Sequence, residues 1–349
     1  MNSFRKICLI LALGFAGSFA LGMLRGGTTV ATYRWGPDAI GSENLEAPAR
    51  RLVAAAWQPR GILGAEVIGP GTASRLEAGP ADTLLVMDFH SREIRQLDPQ
   101  QDEARVRVRA ARGILDFGAD ADGIWWIEEG APVLRRQDSR GEALEPIPLA
   151  QAPHRAASLP NGGLVALNLE PRPELFQLYG RDGGPGRPLG RLLAGEVQEP
   201  LVLEGSLAAS PDGGFVYVPY YLPFLTAYEG NGALRYRRAL AGSEAGPPPS
   251  VVRGAQGSRN VQPGTRVQAF SVHVTGDRLA VLAQPRGDRK GHRVLDFYDL
   301  GDGAYLESLR LPEGARDALW RDGTLYTLHR DGIRRWQAGP STPIEGAVG

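Results

Sequence analysis

The sequence has a single cysteine, Cys8, and its basic residues are almost all arginine, with Lys6 and Lys290 as the two lysines. The chain after Cys8 contains no cysteine. This part of the chain, which we call the body, therefore forms no disulfide bond and offers no thiol nucleophile, no cysteine-ligated zinc site and no haem attachment motif. The 39 basic and 39 acidic residues give a formal net charge of zero. Because nucleic-acid binding usually requires a basic excess, the composition argues against nucleic acid as a partner.

Common catalytic motifs are missing as well. The five histidines form neither an HxxH nor an HExxH pair, so their spacing gives no local zinc site. The sequence has no G-x-S-x-G motif, which argues against a serine hydrolase of the α/β type. We therefore assign no catalytic residue, no cofactor and no metal ligand from the motifs.

Residues 1–27 differ in composition from the rest of the chain. Arg5 and Lys6 precede a run of 18 residues, 7–24, that contains no charged side chain. This run and the small residue Ala20 are typical of a secretory signal, and 18 residues also suffice for one membrane anchor. The sequence predicts an exported body, periplasmic or extracellular, with a cleaved signal peptide or an uncleaved anchor. Any membrane contact is expected through residues 7–24 alone.

Glycine and proline, with 46 and 27 residues, favour many short strands over long helices. Asp-Gly, Asn-Gly or similar turns recur six times, and each turn precedes a short apolar strand. The acidic or amide residues of these turns are Asp82, Asp122, Asn161, Asp212, Asp277 and Asp322. A second glycine-containing turn follows in most units. Four antiparallel strands per unit are typical of a propeller blade.

We therefore predict an all-β fold: a six-bladed β-propeller of four-stranded antiparallel blades, preceded by an N-terminal apolar helix. The last unit lacks a fourth strand, so a strand within residues 51–68 is expected to complete that blade and close the ring, which removes exposed sheet edges. The predicted regions are a tether at 28–49, the propeller at 50–338 with a Gly- and Pro-rich loop insert at 241–265, and a C-terminal tail at 339–349.

Two segments resemble known propeller repeats. Residues 85–98, LVMDFHSREIRQLD, resemble an NHL-type repeat in their V-x-D and Arg-x-Ile pairs and their closing apolar-Asp pair. Residues 210–218, SPDGGFVYV, are similar to a phrase found in six-bladed and related propellers. The resemblance covers residues 50–338 and implies a six-bladed propeller of the NHL-repeat or TolB-like type. It indicates the fold much more than the function.

Some six-bladed propellers, those of the gluconolactonase type, hold a divalent metal ion in the central channel. Such an ion is bound by acidic and amide side chains, because hard cations prefer oxygen ligands. In that family an aspartate ligand follows the SPDGxxxYV phrase, whereas this sequence continues with Pro219, Tyr220 and Tyr221. Asp88 and Asn168 stay as candidate ligands, with hydrogen bonding at strand ends as the preferred interpretation.

Loops between the second and third strands of each unit share one face of a propeller with the crossings between blades. In this sequence they mix arginine, glutamate, histidine and aromatic residues, a composition that suits a protein or peptide partner. We predict an interaction face formed by His90, Arg92, Glu129, Arg172, Tyr220, Tyr221, Phe224, Arg286, His292, His329 and Arg330. A shared metal or acid–base role for His90 and His329 is a further alternative, less favoured than two unrelated loop histidines.

The sequence thus favours an extracytoplasmic, non-catalytic scaffold that binds a protein or a cell-envelope component through this face. The alternative is a metal-dependent lactonase or esterase with its site in the central channel. The lining of the channel discriminates between them, since the enzyme needs several oxygen or imidazole ligands that converge on one point.

Overall fold

The computed structural model describes residues 29–343, except residues 40, 55–56, 64–72, 169, 171, 185, 245, 255–256, 286–291 and 339–341. The predicted signal peptide or anchor and the predicted face residue Arg286 lie outside the described residues. Within the described part, none of the helices has the length and apolar character needed to cross a membrane. Its two helical segments are short 3₁₀ turns, Pro37–Ala39 and Ser42–Asn44.

Strands form the rest of the regular structure. The first three are β1 (Thr29–Ala31), β2 (Leu52–Ala54) and β3 (Trp57–Leu63). Sheet 1 contains β4 (Ala73–Ala78), β5 (Leu84–Asp88), β6 (Glu93–Asp98) and β7 (Glu103–Arg109). Sheet 2 contains β8 (Ile114–Asp120), β9 (Gly123–Glu128), β10 (Val133–Asp138) and β11 (Ala143–Pro148). Sheet 3 contains β12 (Arg155–Ser158), β13 (Leu164–Leu167), β14 (Phe176–Tyr179) and β15 (Arg187–Leu189).

The second half of the chain repeats this arrangement. Sheet 4 contains β16 (Gly205–Ala209), β17 (Phe215–Pro219), β18 (Phe224–Tyr228) and β19 (Leu234–Ala239). Two short strands, β20 (Val251–Arg253) and β21 (Arg259–Val261), precede sheet 5. Sheet 5 contains β22 (Ala269–Thr275), β23 (Arg278–Ala283), β24 (Val294–Asp299) and β25 (Tyr305–Arg310). Sheet 6 contains β26 (Asp317–Arg321), β27 (Thr324–His329) and β28 (Gly332–Ala338), and β29 (Thr342–Pro343) is the last described strand.

Each sheet is an antiparallel meander in which strands that are neighbours in sequence are paired. Sheet 6 takes its fourth strand from the N-terminal part of the chain, because β3 pairs antiparallel with β28 and places Leu63 opposite Ile333. The first strands of the six sheets contact one another in cyclic order, from β4 through β8, β12, β16, β22 and β26 back to β4. The expectation of an all-β, propeller-type fold built from four-stranded antiparallel sheets is confirmed.

Apolar side chains fill the spaces between neighbouring sheets. The described residues form six hydrophobic clusters, and each combines buried residues from two sheets that are adjacent in the ring. The second strands lie between two such clusters, which explains why β5 and β17 are buried along their whole length. Strands buried on both faces read as continuous apolar runs rather than alternating patterns.

Residues 29–39 and 41–49, which the sequence predicted as a tether, include side chains that pack against the ring. Trp35 packs edge-on against Phe224, with ring centroids 5.4 Å apart, and the Gly36 amide donates to the carbonyl of Leu192 over 2.8 Å. Ala39 is fully buried in the cluster shared by sheets 3 and 4. The segment has no strand or helix period, but its aromatic side chains bury apolar surface, which stabilises the packed state.

The predicted loop insert at 241–265 also contains regular structure. β20 and β21 pair with each other, and β1 pairs with β20. The N-terminal segment and the insert therefore form a small three-stranded sheet outside the ring. A second extension lies on sheet 5, where β2 pairs in parallel with β25 and antiparallel with β29. Part of the predicted C-terminal tail thus belongs to a sheet.

Candidate binding site at the channel mouth

The antiparallel meanders place two kinds of connection on one face of the ring. These are the loops between second and third strands and the crossings from one sheet to the next. We call this the loop-bearing face. Its described loops lie within residues 89–92, 129–132, 168–175, 220–223, 284–293 and 330–331. All first strands begin at this face.

One residue from each first strand occupies an equivalent position near this face. Each pairs with a residue near the end of the second strand, namely Met87, Ile127, Leu167, Val218, Leu282 or Leu328. The six residues, which we call the channel ring, are Arg75, Asp116, Arg155, Ser206, Ser271 and Asp317. A cavity of about 640 Å³ opens here, and residues from all six sheets line it. We call it the mouth cavity.

Three members of the channel ring join neighbouring first strands. Asp116 accepts a hydrogen bond from a backbone amide of β12 over 2.9 Å. Asp317 accepts one from β4 over 2.9 Å, and Ser206 accepts one from β22 over 3.2 Å. Each bond satisfies a buried backbone donor, which is costly to leave unpaired. These side chains therefore hold the ring together.

Arg75 is the cation of a buried network below the mouth cavity. It pairs with Asp116, and its Nη2 atom lies 2.6 Å from Oε1 of Glu77. Glu77 also pairs with His273 over 3.4 Å, and these residues border a second, smaller cavity of about 200 Å³. Burial acts to lower the pKa of Arg75, but the negative charges of Asp116 and Glu77 outweigh it and raise the pKa. The charge of Arg75 is thus balanced by two carboxylates, and its role is structural.

A second polar group lies at the edge of the mouth cavity where sheets 3 and 4 meet. Nε2 of His154 lies 3.0 Å from Oε1 of Glu204, and Arg155 lies 3.7 Å from the same oxygen. Arg155 also donates to the hydroxyl of Tyr220 over 3.3 Å and to the carbonyl of Leu115 over 2.5 Å. The hydrogen bond from His154 is the main cause of the lowered pKa of Glu204. This group keeps Glu204 ionised.

Arg293 and Arg316 line the mouth cavity between sheets 5 and 6. The Arg293 guanidinium lies over the ring of Phe270, 4.0 Å from its centroid. In the described part of the chain, neither arginine forms an ion pair with a carboxylate. Burial is the main cause that lowers the pKa of Arg293; the negative charge of Asp317 opposes it, and the positive charge of Arg316 adds to it. Two guanidinium groups and the carboxylate of Asp317 therefore line this edge of the cavity.

The residues predicted for the interaction face occupy different environments. Tyr220 lines the mouth cavity. His90, Arg92, Glu129 and Arg330 are exposed on loops of the same face, while Arg172, Tyr221 and His292 are half-buried. Phe89, which the sequence interpretation did not select, is 54% exposed beside His90 and also lines the cavity.

Two of the predicted face residues, Phe224 and His329, are buried instead. Phe224 begins β18 and packs beneath Trp35. His329 is the last residue of β27, is 4% exposed and lies against Trp336. The prediction failed for both because each belongs to a strand end covered by another segment, not to a loop. His329 is therefore not available for a role shared with the exposed His90.

The surroundings of His329 favour a neutral ring. Trp336 can only donate, and its Nε1 atom donates to the Thr327 hydroxyl over 2.7 Å. The same hydroxyl lies 2.7 Å from Nε2 of His329, and it can donate to this nitrogen when the ring is neutral. Burial is the main cause that lowers the pKa of His329 to about 4, and the charge of Arg334 adds to it.

A pH dependence of stability follows from this lowered pKa. The unfolded chain binds a proton at His329 near pH 6.5, the folded chain only near pH 4, so the stability contributed by the neutral ring is lost as pH falls. Between pH 7 and pH 5 we expect a loss of about 1–2 kcal/mol from this residue. In His329→Gln, the loss of unfolding free energy between pH 7 and pH 5 is expected to be smaller by that amount. An unchanged slope would contradict the assignment.

Asp88 and Asn168, the candidate metal ligands, do not form a metal site with other described residues. Oδ1 of Asp88 accepts hydrogen bonds from the amides of His90 and Ser91 over 2.9 and 3.1 Å. Asn168 is buried beyond the end of β13, and its side chain has no hydrogen-bond partner within the described part. Across that part, no three acidic, histidine or cysteine side chains are grouped as a metal site requires.

Comparisons with known proteins identify the class of fold. No protein family and no curated protein matches this sequence. Among solved structures, a streptogramin B lyase is similar, with a TM-score of 0.50 and 12% identity over 82% of this chain and 98% of that chain. A gluconolactonase from Xanthomonas campestris has a TM-score of 0.47 and 17% identity over 84% of this chain and 98% of its own. At 12% identity the similarity to the lyase shows a propeller-type fold and nothing further.

Proposed function

We propose that this chain is an exported, six-bladed β-propeller of the NHL-repeat or TolB-like type that acts as a non-catalytic interaction module. It binds a partner protein through its loop-bearing face. The observation that carries this proposal is the mouth cavity of about 640 Å³, which opens on that face and combines arginine, tyrosine, phenylalanine and other apolar side chains. Tyrosine and arginine are the residues that most often dominate binding energy at protein interfaces.

The rigidity of the ring also supports a binding role. Asp116, Asp317 and Ser206 fix neighbouring first strands to one another by side-chain hydrogen bonds. The cavity is therefore shaped before a partner arrives, and little conformational entropy is lost when the complex forms. Phe89 supplies an exposed apolar contact at the rim.

An enzymatic role stays as the second candidate because of one feature, the pair formed by His154 and Glu204 at the edge of the cavity. Their 3.0 Å contact, with Arg155 and Tyr220 beside it, is an arrangement that can serve general acid–base catalysis on a lactone or small ester. The metal-dependent form of this alternative has less support, since no group of three metal-ligating side chains is found across the described residues.

Partner capture by matched variants tests the proposal. The immobilised body is incubated with an envelope extract, and bound proteins are quantified for wild type, Tyr220→Ala and Tyr221→Ala. Tyr220 lines the cavity, whereas Tyr221 does not. We expect a partner that is retained by wild type and Tyr221→Ala and at least tenfold depleted by Tyr220→Ala, as for loss of an anchor residue.

Two results would contradict the module. One is a set of bound proteins that Tyr220→Ala leaves unchanged. The other is turnover of a lactone by the purified body that is lost in His154→Asn, because this result assigns the cavity to catalysis. Turnover is measured with and without added Ca²⁺ or Zn²⁺, which separates the metal-dependent alternative from direct acid–base catalysis.

A further inference from the structure

The arginines of the mouth cavity differ in whether their charge is balanced. Arg75 is balanced by Asp116 and Glu77, and Arg155 faces Glu204. Arg293 and Arg316 form no ion pair among the described residues, and one carboxylate, that of Asp317, lines the cavity with them. Two guanidinium charges with one carboxylate leave one positive charge in excess, and an anion placed between the arginines is attracted to that charge.

The geometry of Arg293 favours a planar anion. Its guanidinium is held over Phe270 at 4.0 Å, an arrangement that fixes the plane of the group by cation–π stacking. The N–H donors at its edge then present a fixed fork. A carboxylate matches this fork with two parallel hydrogen bonds.

The volume and lining of the cavity indicate that the anion is attached to apolar groups. A cavity of about 640 Å³ is within the range of pockets that hold an organic ligand and far exceeds one carboxylate. Its remaining lining includes Met87, Phe89, Ile114 and Leu115. Apolar side chains next to the anionic group gain free energy when they leave water here.

We infer that the mouth cavity recognises an acidic peptide segment of the partner protein, with a carboxylate bound by Arg293 and Arg316 and a neighbouring apolar side chain against Phe89 and Phe270. This inference rests on the proposed function and names the chemistry of its partner. A peptide is favoured over a free anion because the cavity opens on the face where the exposed Phe89 continues the apolar lining.

A binding assay with defined probes tests the inference. The probe is the labelled peptide Gly-Leu-Glu-Phe-Glu-Gly, blocked at both ends, and a matched peptide carries Gln in place of Glu. Fluorescence anisotropy is measured for wild type, Arg293→Gln, Arg316→Gln and the double variant. The control is Arg140→Gln, an exposed arginine on the turn between β10 and β11, at the opposite face.

We expect each cavity variant to weaken binding of the acidic peptide about tenfold or more, as for loss of a charge-assisted hydrogen bond. The double variant should weaken it further, and Arg140→Gln should leave it unchanged. The Gln peptide should bind wild type as weakly as the acidic peptide binds the double variant. Added salt should weaken the binding of the acidic peptide and leave the binding of the Gln peptide unchanged. Unfolding midpoints of all variants confirm that they are folded.

Three results would overturn the inference. The first is equal affinity for the Glu and Gln peptides, and the second is full affinity in the double variant. The third is that free phenylacetate binds as tightly as the peptide, because the ligand is then a small anion. The proposed function is judged separately. If the double variant keeps the partner that Tyr220→Ala loses, the interaction module stands and the acidic ligand fails.

Discussion

Asp116→Asn is expected to destabilise the folded chain by about 3–5 kcal/mol, the usual cost of removing one partner from a buried ion pair. Asp116 is 1% exposed, pairs with Arg75 and accepts a 2.9 Å hydrogen bond from β12. Asparagine keeps an acceptor oxygen but has no charge, so Arg75 loses one of its two ion-pair partners among the described residues and keeps Glu77. Urea unfolding of the two chains measures the difference.

Asp122→Asn is the matched control in the same sheet. Asp122 is exposed on the turn between β8 and β9 and pairs with Arg136 at the surface. Surface ion pairs contribute little, so we expect a change within about 0.5 kcal/mol. Equal losses in the two variants would show that Asp116 has no special part in joining sheets 2 and 3.

The closing strand gives the second large effect, because Leu63→Ala is expected to destabilise the chain by about 2–5 kcal/mol. Leu63 is 4% exposed and belongs to the cluster that sheet 6 shares with sheet 1. It reaches that cluster because β3 is the fourth strand of sheet 6. Truncation leaves a cavity at the point where the ring closes. Urea unfolding again measures the loss.

Ile62 is the natural control, since it precedes Leu63 on the same strand and is 46% exposed. Neighbouring side chains of a strand point to opposite faces. Ile62→Ala therefore removes little buried surface, and we expect a change within about 1 kcal/mol. If both variants lose the same stability, or neither loses any, β3 does not close the ring as described.

The all-β architecture could be predicted because its turns are local. Each Asp-Gly or similar turn needs only a few neighbouring residues, and the six turns separate the first and second strands of the six sheets. The apolar second strands also stand out, since burial on both faces gives continuous runs such as residues 84–87. Recurrence at near-regular intervals then indicates the sheets without any knowledge of distant contacts.

The N-terminal segment could not be predicted in the same way. Trp35 is half-buried and Ala39 fully buried by contacts with sheets 3 and 4, far away in sequence. No local period marks such a segment, so its sequence reads as a tether. Contacts with other segments also explain the errors at Phe224 and His329. Trp35 covers Phe224 and Trp336 covers His329. The sequence near Phe224 and His329 does not distinguish a buried strand end from an exposed loop.

Part of the candidate site is marked in the sequence by a regular spacing from the turns. In four sheets the channel-ring residue lies six positions before the turn residue, as Asp116 lies before Asp122 and Arg155 before Asn161. Counting back from the turns therefore finds most of the ring. Arg293 and Arg316 have no such marker, because a crossing and a loop place them at the cavity, and only the closed ring brings these segments together.

Site-specific photo-crosslinking tests the central claim, that the mouth of the channel is where the partner binds. A photoreactive phenylalanine replaces Phe89 at the rim of the mouth cavity or, in a second chain, Asp277 on an exposed turn of the opposite face. Irradiation of intact cells should join a partner protein to the chain labelled at position 89 and leave the chain labelled at position 277 free. A partner joined at position 277 alone, or equally at both positions, would contradict the account.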